Sequence, residues 1–367
     1  MTSYQHNYFF VSLFLLLPTH GYAVKSNTVI ATINVGITPA GIAITPDNRF
    51  AYVANNNNYG LAGEDSVTVL KLKNNTVKTT IFLSSFNQPY TITINSAGTR
   101  AYVTNSNSTT ITIIDIHTNT VIGVIDGFDG PSGMVITPDG TKAYVNNYGG
   151  PEGVGSGNGT TVRIVNLNTN TIVGSPITVG LAPAALAISP NGKYVFVANY
   201  VDGNPGTGTL TVIKTDLNNV VGTIPGFSGP FAIAITPDGK YAYVTNFGSN
   251  NFEPIGTTVS VVKLKKGLIV DTIELGIQPS GVAITPDCRY AYVTNYNTLY
   301  AGENFTDLTA GQGTVNIIDT QKHKVIPPTI VVGQSPANIA IAPDGRHAYV
   351  TNFTSNTVNV IALPHHC

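Results

Sequence analysis

The chain has 367 residues, with 18 Lys and Arg against 19 Asp and Glu, so its formal net charge is −1. Charged residues make up only 10% of it, and Cys occurs twice. That balance excludes a polycationic nucleic-acid surface, and two cysteines exclude a disulfide framework while leaving room for one bridge.

Residues 1–23 read as a signal peptide that is cleaved, with an uncleaved anchor as the alternative. Residues 8–17 (YFFVSLFLLL) are an uncharged apolar run, too short to span a bilayer. Gly21-Tyr22-Ala23 fits a small-residue cleavage site. Residues 24–367 are then expected as one domain outside the cytosol, secreted, periplasmic or at the cell surface, with no membrane span after cleavage.

From residue 27 onward the chain repeats. The phrase AYVTN occurs at residues 101–105, 242–246, 291–295 and 348–352, with variants AYVAN at 51–55, AYVNN at 143–147 and VFVAN at 195–199. In the fifth copy, Pro230 opens FAIAI (231–235), followed by TPDG (236–239), KYAYVTN (240–246), a variable stretch, TVSVVK (258–263) and LIVDTI (268–273). Short β-branched runs bounded by turn residues predict four strands, a to d. In the a–b turn, Pro presets φ and Gly accepts a positive φ.

The opening prolines Pro39, Pro89, Pro131, Pro183, Pro230, Pro279 and Pro336 stand 42 to 57 residues apart. A four-stranded propeller blade takes about 40–45 residues before insertions. Seven copies therefore predict an all-β, seven-bladed β-propeller. The last copy lacks strand d, and NTVIATI at 27–33 matches NTVIGVI at 119–125. The N-terminal strand is expected to close the ring and remove both open edges. The small residues Ala43, Ala187, Ala234, Ala283 and Ala340 of strand a are expected to face the neighbouring blade.

AYVTN preceded by TPDG resembles the YVTN-type β-propeller repeat family, found among exported and surface-layer proteins of bacteria and archaea. The resemblance runs from about residue 27 to residue 361. It implies the fold but little about function, because the residues that carry it make turns and strands.

Closure by strand d gathers the b–c loops and d–a connections on one face and the a–b and c–d turns on the other. Insertions fall in the b–c loops, at 56–65, 148–159, 200–208, 247–256 and 296–313. This loop face carries Glu64, Asp65, Asp126, Asp129, Glu152, Asp202, Glu253, Glu303 and Asp307, and its b–c loops contain no Lys or Arg. The turns carry Arg49, Arg100, Lys142, Lys193, Lys240, Arg289 and Arg346. The loop face is predicted to attract cations or a basic partner surface. Blade 6, with Tyr300, Glu303, Phe305 and Asp307, is its leading contributor.

The two residues after each opening proline are expected to line the channel, and none is an acid, a base or a Cys. A hydrolase needs a nucleophile near a base, or a metal-bound water, so no catalytic residue is assigned. Tyr90 and Phe231 are the apolar candidates at the channel mouth. His117 and His323 fall at matching c–d turn positions, and His365-His366-Cys367 reads as a tail rather than a metal site. No cofactor is expected beyond a candidate Ca²⁺ ion on the hard oxygen ligands of residues 303–307. The repeated strand-b Asn and Tyr are read as structural. Cys288 replaces a turn Gly, and a Cys288–Cys367 bridge would pin the tail in an oxidising compartment.

The favoured reading is a binding or scaffold module that recognises a protein or envelope component, or a small-molecule ligand, through its loop face. One rival is an enzyme resembling seven-bladed lactone hydrolases or lyases. Another is an envelope component that self-assembles by stacking acidic on basic faces.

Overall fold

The computed structural model describes residues 26–57, 65–82, 88–149, 157–201, 206–248, 255–300 and 308–364. They form seven four-stranded antiparallel sheets and one two-stranded hairpin. Blade 1 is typical, with strand a at Pro39–Ile44, b at Phe50–Asn55, c at Ser66–Lys71 and d at Thr76–Phe82, paired in that order. Each strand a touches the next around the ring, and that of blade 7 (Pro336–Ile341) touches that of blade 1. The circle is closed as expected. Strand Thr28–Asn34 supplies the outer position of blade 7, antiparallel to Thr357–Ala362, with Thr28 opposite Ala362 and Asn34 opposite Thr357.

The core lies between blades. One cluster joins Val67 and Val69 of blade 1 to Ile92 and Val103 of blade 2, with Ala43 packed against it. A second joins Ile42 and Val53 of blade 1 to Tyr349 and Val358 of blade 7. Alanine at mid-strand a thus meets the neighbouring blade where the blades converge.

The AYVTN phrase is a set of clamps. Its Asn Nδ2 donates across to strand c, from Asn55 to Ser66 Oγ and Thr68 Oγ1 at 3.0 and 2.9 Å, and from Asn246 to Thr258 and Ser260 at 2.8 and 2.9 Å. Its Thr links adjacent blades. Thr351 Oγ1 accepts the Asn338 N–H at 3.1 Å and donates to the Ala40 carbonyl at 2.7 Å, tying blade 7 to blade 1. Thr245 does the same between Ala232 and Ser280.

Its Tyr is buried, and the hydroxyl reaches the next blade's c–d turn. Tyr52 donates to Asn119 Oδ1 at 2.7 Å, Tyr144 to Asn218 at 2.6 Å, Tyr292 to Asn27 at 2.7 Å and Tyr349 to Asn75 at 3.3 Å. Tyr243 meets His323 Nδ1 at 2.8 Å. The acceptors Asn27, Asn75, Asn119, Asn218 and His323 all have positive φ, a conformation Asn tolerates well. His323 therefore matches Asn119 rather than His117, which corrects the pairing of the two histidines by two residues.

Candidate functional site

The residue after each strand-b Asn donates its N–H to the residue before the opening proline, as from Asn56 to Thr38, Tyr148 to Gly130, Tyr200 to Ala182 and Phe353 to Ser335. This bond places the root of every b–c loop beside a d–a connection, so the variable segments rise from a common face. At that position stand Asn56, Ser106, Tyr148, Tyr200, Phe247, Tyr296 and Phe353. Five of the seven are aromatic, and sequence reading missed them because they follow the repeated phrase rather than belong to it.

These rings meet around the channel mouth. Phe231, the second residue of strand a in blade 5, lies 5.0 Å from Phe247 and edge-on to Tyr200 at 6.5 Å between centroids. Phe247 lies 6.0 Å from Tyr296, and Tyr296 lies 6.3 Å from Phe353. The result is an arc of aromatic contacts across blades 4 to 7, at spacings favourable for aromatic pairs. Tyr200 and Phe247 are buried, while Phe231, Tyr296 and Phe353 keep part of their surface in solvent. Tyr148 of blade 3 packs against the same cluster. Tyr90 of blade 2 stands near it: burial pushes its phenol well above the ordinary value, and Tyr148 adds to the rise.

Blades 1 and 2 interrupt the arc with Asn56 and Ser106, and here the mouth is polar. Asp65 Oδ2 accepts the Gln88 N–H at 2.9 Å, directly before Pro89-Tyr90. Burial raises its pKa, and that hydrogen bond offsets part of the rise. The other described loop-face carboxylates differ. Asp126 is exposed and accepts from the Thr109 hydroxyl at 2.5 Å and the Gly127 N–H at 2.8 Å, which lower its pKa. Asp129 is exposed, and its N–H donates to Asn147 Oδ1 at 3.1 Å.

Glu64, Glu152, Asp202, Glu253, Glu303, Phe305 and Asp307 lie outside the described residues, as does the proposed Ca²⁺ loop. Tyr300 ends a short strand, Thr298–Tyr300, that pairs with Leu308–Ala310 to form a hairpin arm in the blade 6 loop. Cys288 sits in its a–b turn at φ 62°, as the missing Gly implies, while Cys367 lies outside the described residues.

Two expectations change. Ser132 and Ser280, placed by sequence along the channel, are buried against the next blade, where Ser280 Oγ donates to the Pro336 carbonyl at 2.7 Å and Ser132 Oγ to that of Pro183 at 3.4 Å. The basic turns are also offset in part, because several of them bring their own carboxylates. Lys240 pairs with Asp238 at 2.9 Å, Arg49 with Asp47 at 3.8 Å and Arg289 with Asp287 at 3.9 Å. Among the described residues, no three His, Cys, Asp or Glu side chains gather as a metal set, and no helix is long and apolar enough to cross a membrane.

Comparison with known proteins fits this architecture. The Kuenenia stuttgartiensis hydrazine synthase structure superposes with a TM-score of 0.72 over 94% of this chain and 98% of that one, at 22% identity, which is a likeness of fold alone. The seven-bladed β-propeller protein Rv1057 of Mycobacterium tuberculosis is 34% identical over 112 residues, 30% of this chain and 26% of the relative. The PE-PGRS family protein PE_PGRS18 of the same organism is 47% identical over 60 residues, 16% of this chain and 13% of that protein. The chain thus matches only a minor part of either relative's length. A sequence model of the family described as lactonase, 7-bladed β-propeller, matches residues 19–121 and 119–366, and with that coverage the chain belongs to this family.

Proposed function

We propose that this protein is an exported propeller of the YVTN type that binds a protein or envelope component through its loop face, with the aromatic arc as the anchoring surface and the loop carboxylates as its rim. The row Phe231–Phe247–Tyr296–Phe353 is the observation that carries the reading. Aromatic side chains supply large contact area at low entropic cost, and interface energy concentrates in such anchors. Their position inside a ring of variable loops matches how rigid scaffolds present recognition surfaces. Immobilised mature protein should capture envelope components that Tyr296→Ala/Phe353→Ala captures about tenfold more weakly. Lys193→Ala/Arg346→Ala on the opposite face should leave capture unchanged. Retention by the aromatic variant, or loss through the turn-face variant, would overturn the assignment.

Membership of the lactonase family favours a second reading, hydrolytic opening of a lactone at the same mouth. Asp65 is its candidate general base, since its carboxylate stands half-buried at the mouth, directly beside Pro89-Tyr90. A lactone-hydrolysis screen comparing the native chain with Asp65→Asn decides it. Activity that survives the substitution unchanged removes Asp65 from the mechanism.

A further inference from the structure

Six of the seven seams between blades carry a tyrosine and an Asn or His at the latch positions; the seam between blades 4 and 5 carries neither. Phe196 takes the place of the tyrosine, and Gly267 that of the acceptor, at the same positive φ of 60°. A Cβ on Gly267 would find its nearest neighbours, side-chain carbons of Ile224, at 4.0 Å. A groove of about 550 Å³, open to solvent, lies here, with Phe196, Val212, Ile224 and Leu264 among its apolar walls; the latched blade 3–4 seam carries one of about 560 Å³ beside Asn218. That volume lies within the range of small-molecule sites.

Two ammonium groups border this groove. On the turn face Arg49, Lys240 and Arg289 pair with a carboxylate of their own a–b turn, while Arg100, Lys142, Lys193 and Arg346 form no ion pair among the described residues. Lys265 and Lys266, adjacent in the c–d turn that borders the groove, are exposed and have no ion-pair partner among the described residues. The groove's one carboxylate, Asp238, is engaged by Lys240 at 2.9 Å and by the Thr236 hydroxyl at 2.6 Å. An apolar floor beneath two uncompensated ammonium groups suits an occupant with a flat apolar body and one anionic head.

We propose that the blade 4–5 seam is a binding site for a small amphipathic anion, an aryl carboxylate or its like, seated over Phe196 and Gly267 with its head toward Lys265 and Lys266. Isothermal titration of the full mature chain with 2-naphthoate tests this. Saturable one-to-one binding is expected, several-fold weaker for neutral 2-naphthylmethanol and weakened by salt. Phe196→Tyr/Gly267→Asn fills the seam with the latch found at the others and should lower affinity about tenfold or more, while preserving the thermal transition. Lys265→Gln/Lys266→Gln changes only exposed side chains and should lower affinity several-fold. Tyr296→Ala, at the opposite mouth, should leave it unchanged. Absence of saturable binding overturns the proposal, as does binding that neither the filled seam nor the lysine pair weakens. Should the filled variant fail to fold, the lysine pair and the neutral analogue decide alone.

Discussion

Removing one latch hydroxyl tests how the ring is held together. Tyr52 is fully buried, and its hydroxyl lies 2.7 Å from Asn119 Oδ1 and 3.3 Å from the Ile116 carbonyl. Tyr52→Phe removes the donor and leaves the ring's packing between blades 1 and 2 in place. A hydrogen bond of this kind contributes about 0.5–1.5 kcal/mol net. Asn119 is only half-buried, so water can replace part of what is lost. The expected cost is therefore about 1 kcal/mol, near the middle of that range. Equilibrium urea unfolding of native chain and variant, followed by tyrosine fluorescence and by circular dichroism, measures it. Tyr144→Phe, two blades away, should add to it independently, because the two sites share no partner. A sharper check uses the seam that lacks the latch. Phe196→Tyr alone places a hydroxyl opposite Gly267, whereas Phe196→Tyr/Gly267→Asn supplies donor and acceptor together. The double variant should exceed the sum of the singles by about 1 kcal/mol. If Tyr52→Phe changes stability by less than about 0.3 kcal/mol, or the double-variant coupling is nil, the hydroxyls are incidental and packing alone holds the seams.

Other consequences can be measured with the same material. Thr351→Val deletes the hydroxyl that joins the Asn338 N–H to the Ala40 carbonyl across the closure. It should cost about 1 kcal/mol, since a half-buried N–H loses its acceptor, and a cost below about 0.3 would show that the closing seam does not depend on it. Cys288→Gly should stabilise the reduced protein by about 1 kcal/mol, because the position holds φ 62° where Gly98, Gly140, Gly239 and Gly345 serve in other blades; destabilisation in urea unfolding would contradict this. Acid should weaken the a–b turns. Burial raises the Asp238 carboxyl, but the Thr236 hydroxyl, Lys240 and its N–H outweigh that and bring it to about 2, and the Thr137 hydroxyl with the Thr141 N–H lowers Asp139. Both folded-state values lie below the unfolded one, so the stabilisation is complete above about pH 4 and is lost as pH falls toward 2. Asp238→Asn, which imitates the Ser189–Asn191 turn of blade 4, should therefore trail the native chain at pH 6 by more than at pH 2. Melting curves across that interval would refute the assignment if the gap stayed constant.

The fold was legible in the sequence because a propeller repeats its contacts. The Asn, Thr and Tyr of the phrase make equivalent bonds wherever they recur, so a repeated set of bonds appears as near-copies of the phrase. The missing strand d of blade 7 and the orphan NTVIATI were equally plain. Geometry inside the repeat was less legible. Ser132 and Ser280 follow a proline whose partner strand shifts register just beyond it, between Pro131 and Gly133 and between Pro279 and Val282. The same shift follows Pro230, so the backbone is shared: a short hydroxyl side chain at this position reaches the next blade's carbonyl, whereas the ring of Phe231 extends to the mouth. The charge reading named the basic residue of every a–b turn but not the Asp that precedes it in five of them; Arg100 and Lys193 stand in turns without one.

The same logic says where function is written. A residue equivalent in every blade answers a demand that every blade shares, and such demands are structural. Departures from equivalence carry the rest. Aligned by the hydrogen bond from strand b to the residue before each proline, the next position is polar in blades 1 and 2 and aromatic from blade 3 to blade 7. A purely structural requirement would not divide the ring in that way. The latch gives the second instance, since Phe196 and Gly267 depart together at one seam and at no other. A single loss is compatible with drift in a neutral direction, but Gly at the acceptor with Phe at the donor removes both halves of one bond at the same seam. The loop-face arc and the blade 4–5 seam are thus two places, among the described residues, where this ring stops repeating itself for reasons that strand geometry does not supply.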